Sequence, residues 1–146
     1  IRAEEYDAVF FAGGHGTMED FPKDLQVKTI LEQFYATNKP ISAVCHGPAC
    51  LVNAVKKNGD PLVKGHRFTC FTDAEETTVG LATSVPFMLE TRLREQGGKA
   101  ETAAPFEAKV VVDLPLITGQ NPASAIPTAE AVIHQLRTHS SRKVAA

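Results

Sequence analysis

A doubly wound α/β fold, with a mostly parallel sheet covered by helices on both faces, is predicted by three features of the sequence. Short, nearly continuous apolar runs end at glycines or turn residues, as in strands buried on both faces. Segments with helical apolar spacing alternate with those runs. Two of the runs end in residues that carry chemistry, Gly13-Gly14-His15-Gly16 and Cys45-His46-Gly47-Pro48. In open α/β sheets the ligand sits beyond the carboxyl ends of the strands, where both of these segments fall.

Tyr6 to Ala12 reads as a buried strand running into Gly13-Gly14, and Glu19 to Pro22 as a polar turn. Leu25, Val27, Ile30, Leu31, Phe34 and Tyr35 keep helical spacing up to the stop at Asn38-Lys39-Pro40. Ile41 to Val44 is a second buried strand. The spacing predicts a helix over Ala49 to Val55, with Pro48 suited to its first turn. Asn58-Gly59-Asp60 is a turn and Arg67 to Phe71 a strand. Pro86 to Gln96 is a helix with Phe87, Leu89 and Leu93 inward, closed by Gly97-Gly98. Ala100 to Ala103, Lys109 to Asp113 and Leu116 to Thr118 are extended. Gly119 to Pro122 is a loop, and Ala123 to Thr138 the last helix. The chain thus forms one domain over residues 1–139, and the small, basic tail 140–146 is expected to fray.

Composition narrows the function. Of 146 residues, 43% are hydrophobic and 22% charged, which is ordinary for a globular domain. Fifteen basic against seventeen acidic residues, with no basic run, give no electrostatic case for nucleic acid or an anionic membrane. No apolar run approaches the roughly 20 residues that span a bilayer. Three irregularly spaced cysteines argue against a disulfide framework and for a reducing compartment, hence a cytoplasmic protein. The usual short Cys pairs of a zinc site are absent, so no metal is expected.

A strand that turns into a helix at a cysteine is the thiol version of a nucleophile elbow. The turn exposes the side chain of Cys45, and Gly47 gives it room. The N-terminus of the next helix is expected to favour thiolate, and His46 can carry the proton. Read simply as a small hydrophobe, Cys45 would be buried, which is the reading kept for Cys50 and Cys70. Gly13 and Gly14 can serve as a tight turn, or bring a backbone N–H to the reacting centre. With the N–H of His46 that would make an oxyanion hole. Asp73, Glu75 and Glu76 come just after a predicted strand and can orient the histidine; spacing does not choose among them, and all three suit the first turn of a helix.

The segments AGGHGTMEDFP, AVCHGPACLV, GHRFTCFTDAEE, VPFMLETRLREQGG and LITGQNPASA occur in this order between about Tyr6 and Leu136. Together they resemble the ThiJ/PfpI superfamily, whose fold is flavodoxin-like and class I glutamine amidotransferase-like. Within it they are most similar to the heat-shock branch of glutathione-independent glyoxalases (glyoxalase III). The resemblance implies Cys45 as nucleophile, His46 as its histidine and Glu76 as the acid completing a triad, with Gly14 and His46 at the oxyanion positions. It implies a homodimer, no cofactor, and a loop near the active-site face at Asn121-Pro122, a segment that otherwise suits a helix start. It also implies a strand and a glutamate-bearing loop upstream of Tyr6, beside Tyr6 to Ala12 in mid-sheet. Nothing in the sequence matches them, so the first strands of the domain are expected in a further segment of the same polypeptide.

The activity implied is conversion of methylglyoxal and related 2-oxoaldehydes to 2-hydroxy acids, D-lactate in the first case. A glutaminase would need a His-x-Glu downstream, but His66, His134 and His139 are followed two residues later by Phe68, Leu136 and Ser141. A weak cysteine peptidase or amidase, and a stress chaperone or redox-sensing protein, are the alternatives.

Overall fold

The computed structural model describes residues 1–144, with side chains up to Thr138. Strand β1 (Val9–Phe11) leads through the glycine segment into a short helix α1 (Thr17–Asp20). Helix α2 (Leu25–Ala36) comes next, then strand β2 (Ile41–Val44) and a 3₁₀ segment over Gly47–Leu51. Strand β3 (Arg67–Phe68), helices α3 (Asp73–Thr78) and α4 (Leu89–Glu95), and strands β4 (Lys99–Ala100), β5 (Val110–Asp113) and β6 (Leu116–Gly119) continue the chain. Helix α5 (Ala125–Val144) closes it. Among the described residues no helix is long and apolar enough to cross a membrane.

The main sheet has the order β1-β2-β6-β5. β1, β2 and β6 run parallel, in a register that pairs Phe11 with Ala43 and Val44 with Gly119. β5 joins β6 antiparallel, so the sheet is mostly parallel with one reversed edge. β2 lies in the middle, and all four of its residues are buried. β1 is the other edge, where Phe10 is 41% exposed. α2 starts on a sound cap: the Asp24 carboxylate accepts from the backbone N–H groups of Gln26 and Val27. Its Leu31 and Phe34 are buried in the same core as Ile41, Leu51 and Leu116.

Several elements differ from what the sequence predicts. Tyr6 to Ala12 is regular strand only over Val9–Phe11. Glu19 to Pro22 is no turn: its residues lie in α1 and an adjoining 3₁₀ turn, Phe21–Lys23. The expected helix over Ala49 to Val55 is the 3₁₀ segment Gly47–Leu51, after which Val55 bridges Pro61 instead. Arg67 to Phe71 is ladder strand only at Arg67–Phe68, because its later N–H groups find other partners. That of Thr69 donates to the Thr118 hydroxyl, and that of Phe71 to the Cys45 carbonyl. Regular pairing over Ala100 to Ala103 stops at Ala100, since Ala103 N–H donates to the Gln120 side chain. α5 extends through Ser140 to Val144, where a frayed tail is expected; residues 145–146 lie outside those described. The expected buried strand Ile41 to Val44 and the glycine stop after α4, with Gly97 at a φ of +86°, match the structure.

Gly47 shows how tightly the elbow is docked. A Cβ built there would overlap the carbonyl oxygen of Phe11, a backbone atom of β1 that has little room to yield. Gly47→Ala is therefore expected to cost about 1–3 kcal/mol of stability, read as a lower urea midpoint. An unchanged midpoint would show that β1 and the elbow are not in this contact.

Candidate active site

β2 ends at Val44 and hands the chain to Cys45 in the left-handed region, at a φ of +62°. That conformation costs a non-glycine residue about 1–3 kcal/mol and persists only where its surroundings hold it. Two hydrogen bonds do so: Cys45 N–H donates to the Gly119 carbonyl at 2.9 Å, and Phe71 N–H donates to the Cys45 carbonyl at 2.8 Å. The ends of β6 and of the segment after β3 thus clamp the elbow from both sides. Gly13 lies against it, where a Cβ would come within 2.7 Å of the Val44 carbonyl oxygen and 2.8 Å of the Cys45 Cβ.

The thiol sits 3.4 Å from Nδ1 of His46. Burial pushes it up to about 11. The backbone N–H groups of His46 and Gly14 act against that shift, and the negative charges of Glu75 and Glu76 add to it. The expectation that a helix N-terminus favours thiolate is therefore corrected. The chain beyond His46 forms a five-residue 3₁₀ segment, buried throughout, and too short to offset the loss of water. The two glycines divide their roles. The Gly14 N–H lies near the thiol and opposes its rise, and Gly14 takes a φ of +119° that side-chain-bearing residues rarely adopt. Gly13 provides close approach.

His46 is 1% exposed. Its ring packs against those of His15 and Phe71, with centroids 4.0 Å and 4.4 Å away. Burial lowers its pKa below the ordinary value, and the neighbouring His15 adds to this, while the hydrogen bond to Glu76 opposes it. Its Nε2 lies 2.7 Å from Oε2 of Glu76. A carboxylate only accepts hydrogen bonds. The proton therefore sits on Nε2, and the lone pair of Nδ1 faces the thiol.

The first turn of α3 decides which carboxylate reaches His46. Thr72 caps the helix, and Glu75 folds back to accept from the Thr72 N–H and hydroxyl. Its other oxygen accepts from the Phe106 N–H and the Asn121 side chain, both at 2.8 Å. Burial would raise the Glu75 pKa, but these bonds outweigh it and hold it below the ordinary value. Asp73 bonds outward, to the Thr91 hydroxyl. Glu76 alone of the three turns to the histidine. The Thr72-x-x-Glu75 spacing is a capping-box signature, and this signal in the sequence assigns Glu75 to the helix end. Asn121 caps the turn at Ser124, as its helix-start reading expects, and its side chain also donates to Glu75.

Sequence reasoning leaves His15 without a role of its own. Its Nε2 lies 2.7 Å from Oε1 of Glu76, so one carboxylate holds two imidazoles. One donor atom each from His15, His46 and Glu76 lies within 4.8 Å of the others, a set that metal ions also use. Here those atoms are engaged in the two hydrogen bonds. Cys50 and Cys70 are buried in the core, as expected of packing residues.

A cavity of about 610 Å³ opens over this group. Cys45, His15 and His46 line it together with the apolar Phe10, Phe71 and Phe106. A second cavity, of about 620 Å³, is lined by Glu32, Tyr35 and Lys56 and holds neither thiol nor imidazole. Chemistry, not size, separates the two.

Residues 1–135 match the DJ-1/PfpI family. The glutathione-independent glyoxalase HSP31 of Saccharomyces cerevisiae is 35% identical over 143 residues, covering 94% of this chain and 60% of its own length. Glyoxalase III from Candida albicans superposes with a TM-score of 0.84 at 33% identity, over 92% of this chain and 59% of its own. Rapid Encystment Protein 24 KDa of Francisella tularensis superposes with a TM-score of 0.88 at 42% identity, over 90% of this chain and 59% of its own. The chain thus spans about 60% of the length of these relatives. With nearly all of its residues matched, the chain belongs to the DJ-1/PfpI family.

Proposed function

We propose that this protein is a glutathione-independent glyoxalase that converts methylglyoxal and related 2-oxoaldehydes to 2-hydroxy acids at Cys45. One observation carries the reading: the hydrogen-bonded line Cys45–His46–Glu76, whose Cys45 and His46 line an apolar cavity. The glyoxalase names of the relatives support it.

The states of the groups set the chemistry. Since the thiol is held neutral and His46 is a neutral base, the proton passes from Sγ to Nδ1 as the sulfur attacks the aldehyde carbon. An S–C bond forms, the carbonyl π bond breaks, and the new oxyanion lies near the N–H groups of Gly14 and His46. His46 returns the proton to that oxygen, giving a hemithioacetal on the enzyme's own thiol. Glutathione, which would otherwise supply the thiol, is then unnecessary. Freed of its proton, Nδ1 removes hydrogen from the former aldehyde carbon to give an enediolate. Protonation at the neighbouring carbon yields a thioester. Water cleaves it, releasing the 2-hydroxy acid and restoring the thiol. One carbon is oxidised as its neighbour is reduced, so the sum is aldehyde plus water and no external electron acceptor enters.

A raised thiol pKa favours this reading over redox sensing, which needs an exposed thiolate. Three free cysteines support a reducing compartment such as the cytoplasm.

Purified protein given methylglyoxal without glutathione is expected to form D-lactate. Cys45→Ser is expected to lower kcat at least about 1,000-fold, and Glu76→Gln about 100-fold or more through loss of the His46 tautomer. Wild-type turnover in Cys45→Ser would remove Cys45 from the mechanism.

The pH dependence has a definite sign. Lowered below the ordinary 6.5, the His46 pKa leaves the imidazole neutral and basic at pH 7, so kcat/KM should fall only below pH 6.5. Because the thiol is raised to about 11, its alkylation by iodoacetamide should still be accelerating at pH 10. A plateau in alkylation by about pH 8 would show that Cys45 rests as thiolate.

A further inference from the structure

One buried acceptor atom and one imidazole of the site take no part in that chemistry. Oε1 of Glu76 does not hold His46; it accepts from Nε2 of His15 at 2.7 Å. Glu76 is 4% exposed, whereas the His15 side chain is 42% exposed and lines the cavity. The bond therefore joins a buried carboxylate to a partly exposed residue that lines the cavity.

His15 is itself firmly placed. It comes after Gly14, whose carbonyl accepts from the Thr17 N–H, and its own carbonyl accepts from the Met18 N–H. The Thr17 hydroxyl lies 2.8 Å from the Gly14 carbonyl oxygen and 3.1 Å from that of His46, tying this turn to the elbow. The ring packs edge-on to Phe71 and tilted against His46. So much fixation of a partly exposed side chain has a reason in the carboxylate. A buried carboxylate with one donor rotates until its free oxygen finds another, because an unpaired buried oxygen is costly. With donors on both oxygens the plane of the carboxylate is pinned, and with it the side of His46 that carries the proton.

We propose that His15 is a positioning residue whose Nε2–H pins the Glu76 carboxylate and thereby keeps the Nδ1 lone pair of His46 aimed at Cys45. The proposal rests on the reading of Cys45 and His46 as nucleophile and base. Its substance is donation: an N–H at the place of Nε2 is required, and the ring's own proton exchange is not.

Glutamine can put an amide N–H where the histidine has Nε2, and alanine cannot. His15→Ala is expected to lower kcat for methylglyoxal about 10–100-fold with KM changed less than about twofold. His15→Gln is expected to stay within about threefold of wild type. Alkylation of Cys45 by iodoacetamide at pH 7, measured by mass spectrometry of its peptide, should fall in His15→Ala and hold in His15→Gln. His15→Gln should keep the wild-type unfolding midpoint, whereas His15→Ala, which leaves the buried Oε1 of Glu76 without its donor, is expected to lower it. Loss of kcat and alkylation in His15→Gln equal to that in His15→Ala would overturn donation in favour of acid/base exchange by the ring. Wild-type values in His15→Ala would overturn any role. If no variant turns over methylglyoxal and alkylation still keeps the stated pattern, the glyoxalase reading fails and the positioning role stands.

Discussion

Glu76 is a carboxylate that the fold encloses, and an enclosed carboxylate must be given hydrogen-bond donors or it will not stay charged and still. The fold supplies two imidazole N–H groups, one per oxygen, both at 2.7 Å. Much of the site is a consequence of that arrangement. Since Glu76 only accepts, His46 must carry its proton on Nε2, and its other nitrogen becomes a lone pair directed at sulfur. The side chain that does chemistry is thus set by one two residues removed from it in the chain of contacts.

The second constraint is the elbow. A left-handed cysteine is unstable by itself, and here three strand ends meet to hold it: β2 delivers it, Gly119 of β6 accepts its N–H, and Phe71 beyond β3 donates to its carbonyl. The cost of taking the thiol out of water shows in its raised pKa. That cost is coupled to the mechanism. A free thiolate would be the better nucleophile at rest, but on the proposed glyoxalase reading a neutral thiol beside a neutral imidazole would release its proton only as the carbonyl is attacked.

How much of this is legible in the sequence depends on what each feature rests upon. β2 is readable because Pro40 and Cys45 bracket four apolar or small residues. α2 is readable because only one of its faces is buried. The segment after the elbow is not: Gly47 to Val52 is buried on every side, so no periodicity distinguishes a helix from a 3₁₀ segment. The ladder after Arg67 is overpredicted because side chains, Thr118 and Gln120, take over the backbone bonds there. Spacing leaves three carboxylates open, since neighbours on a helix differ only by rotation, and the cap at Thr72 sets the phase. The thiolate expectation fails because a helix terminus is visible in a sequence and desolvation is not.

That a shared carboxylate fixes the tautomer of His46 is tested most directly by nitrogen NMR of the ¹⁵N-histidine-labelled protein at neutral pH. The His46 ring is expected to show a protonated Nε2 and a bare Nδ1. A His46 ring protonated at Nδ1, with Nε2 bare toward Glu76, would contradict the shared-carboxylate arrangement.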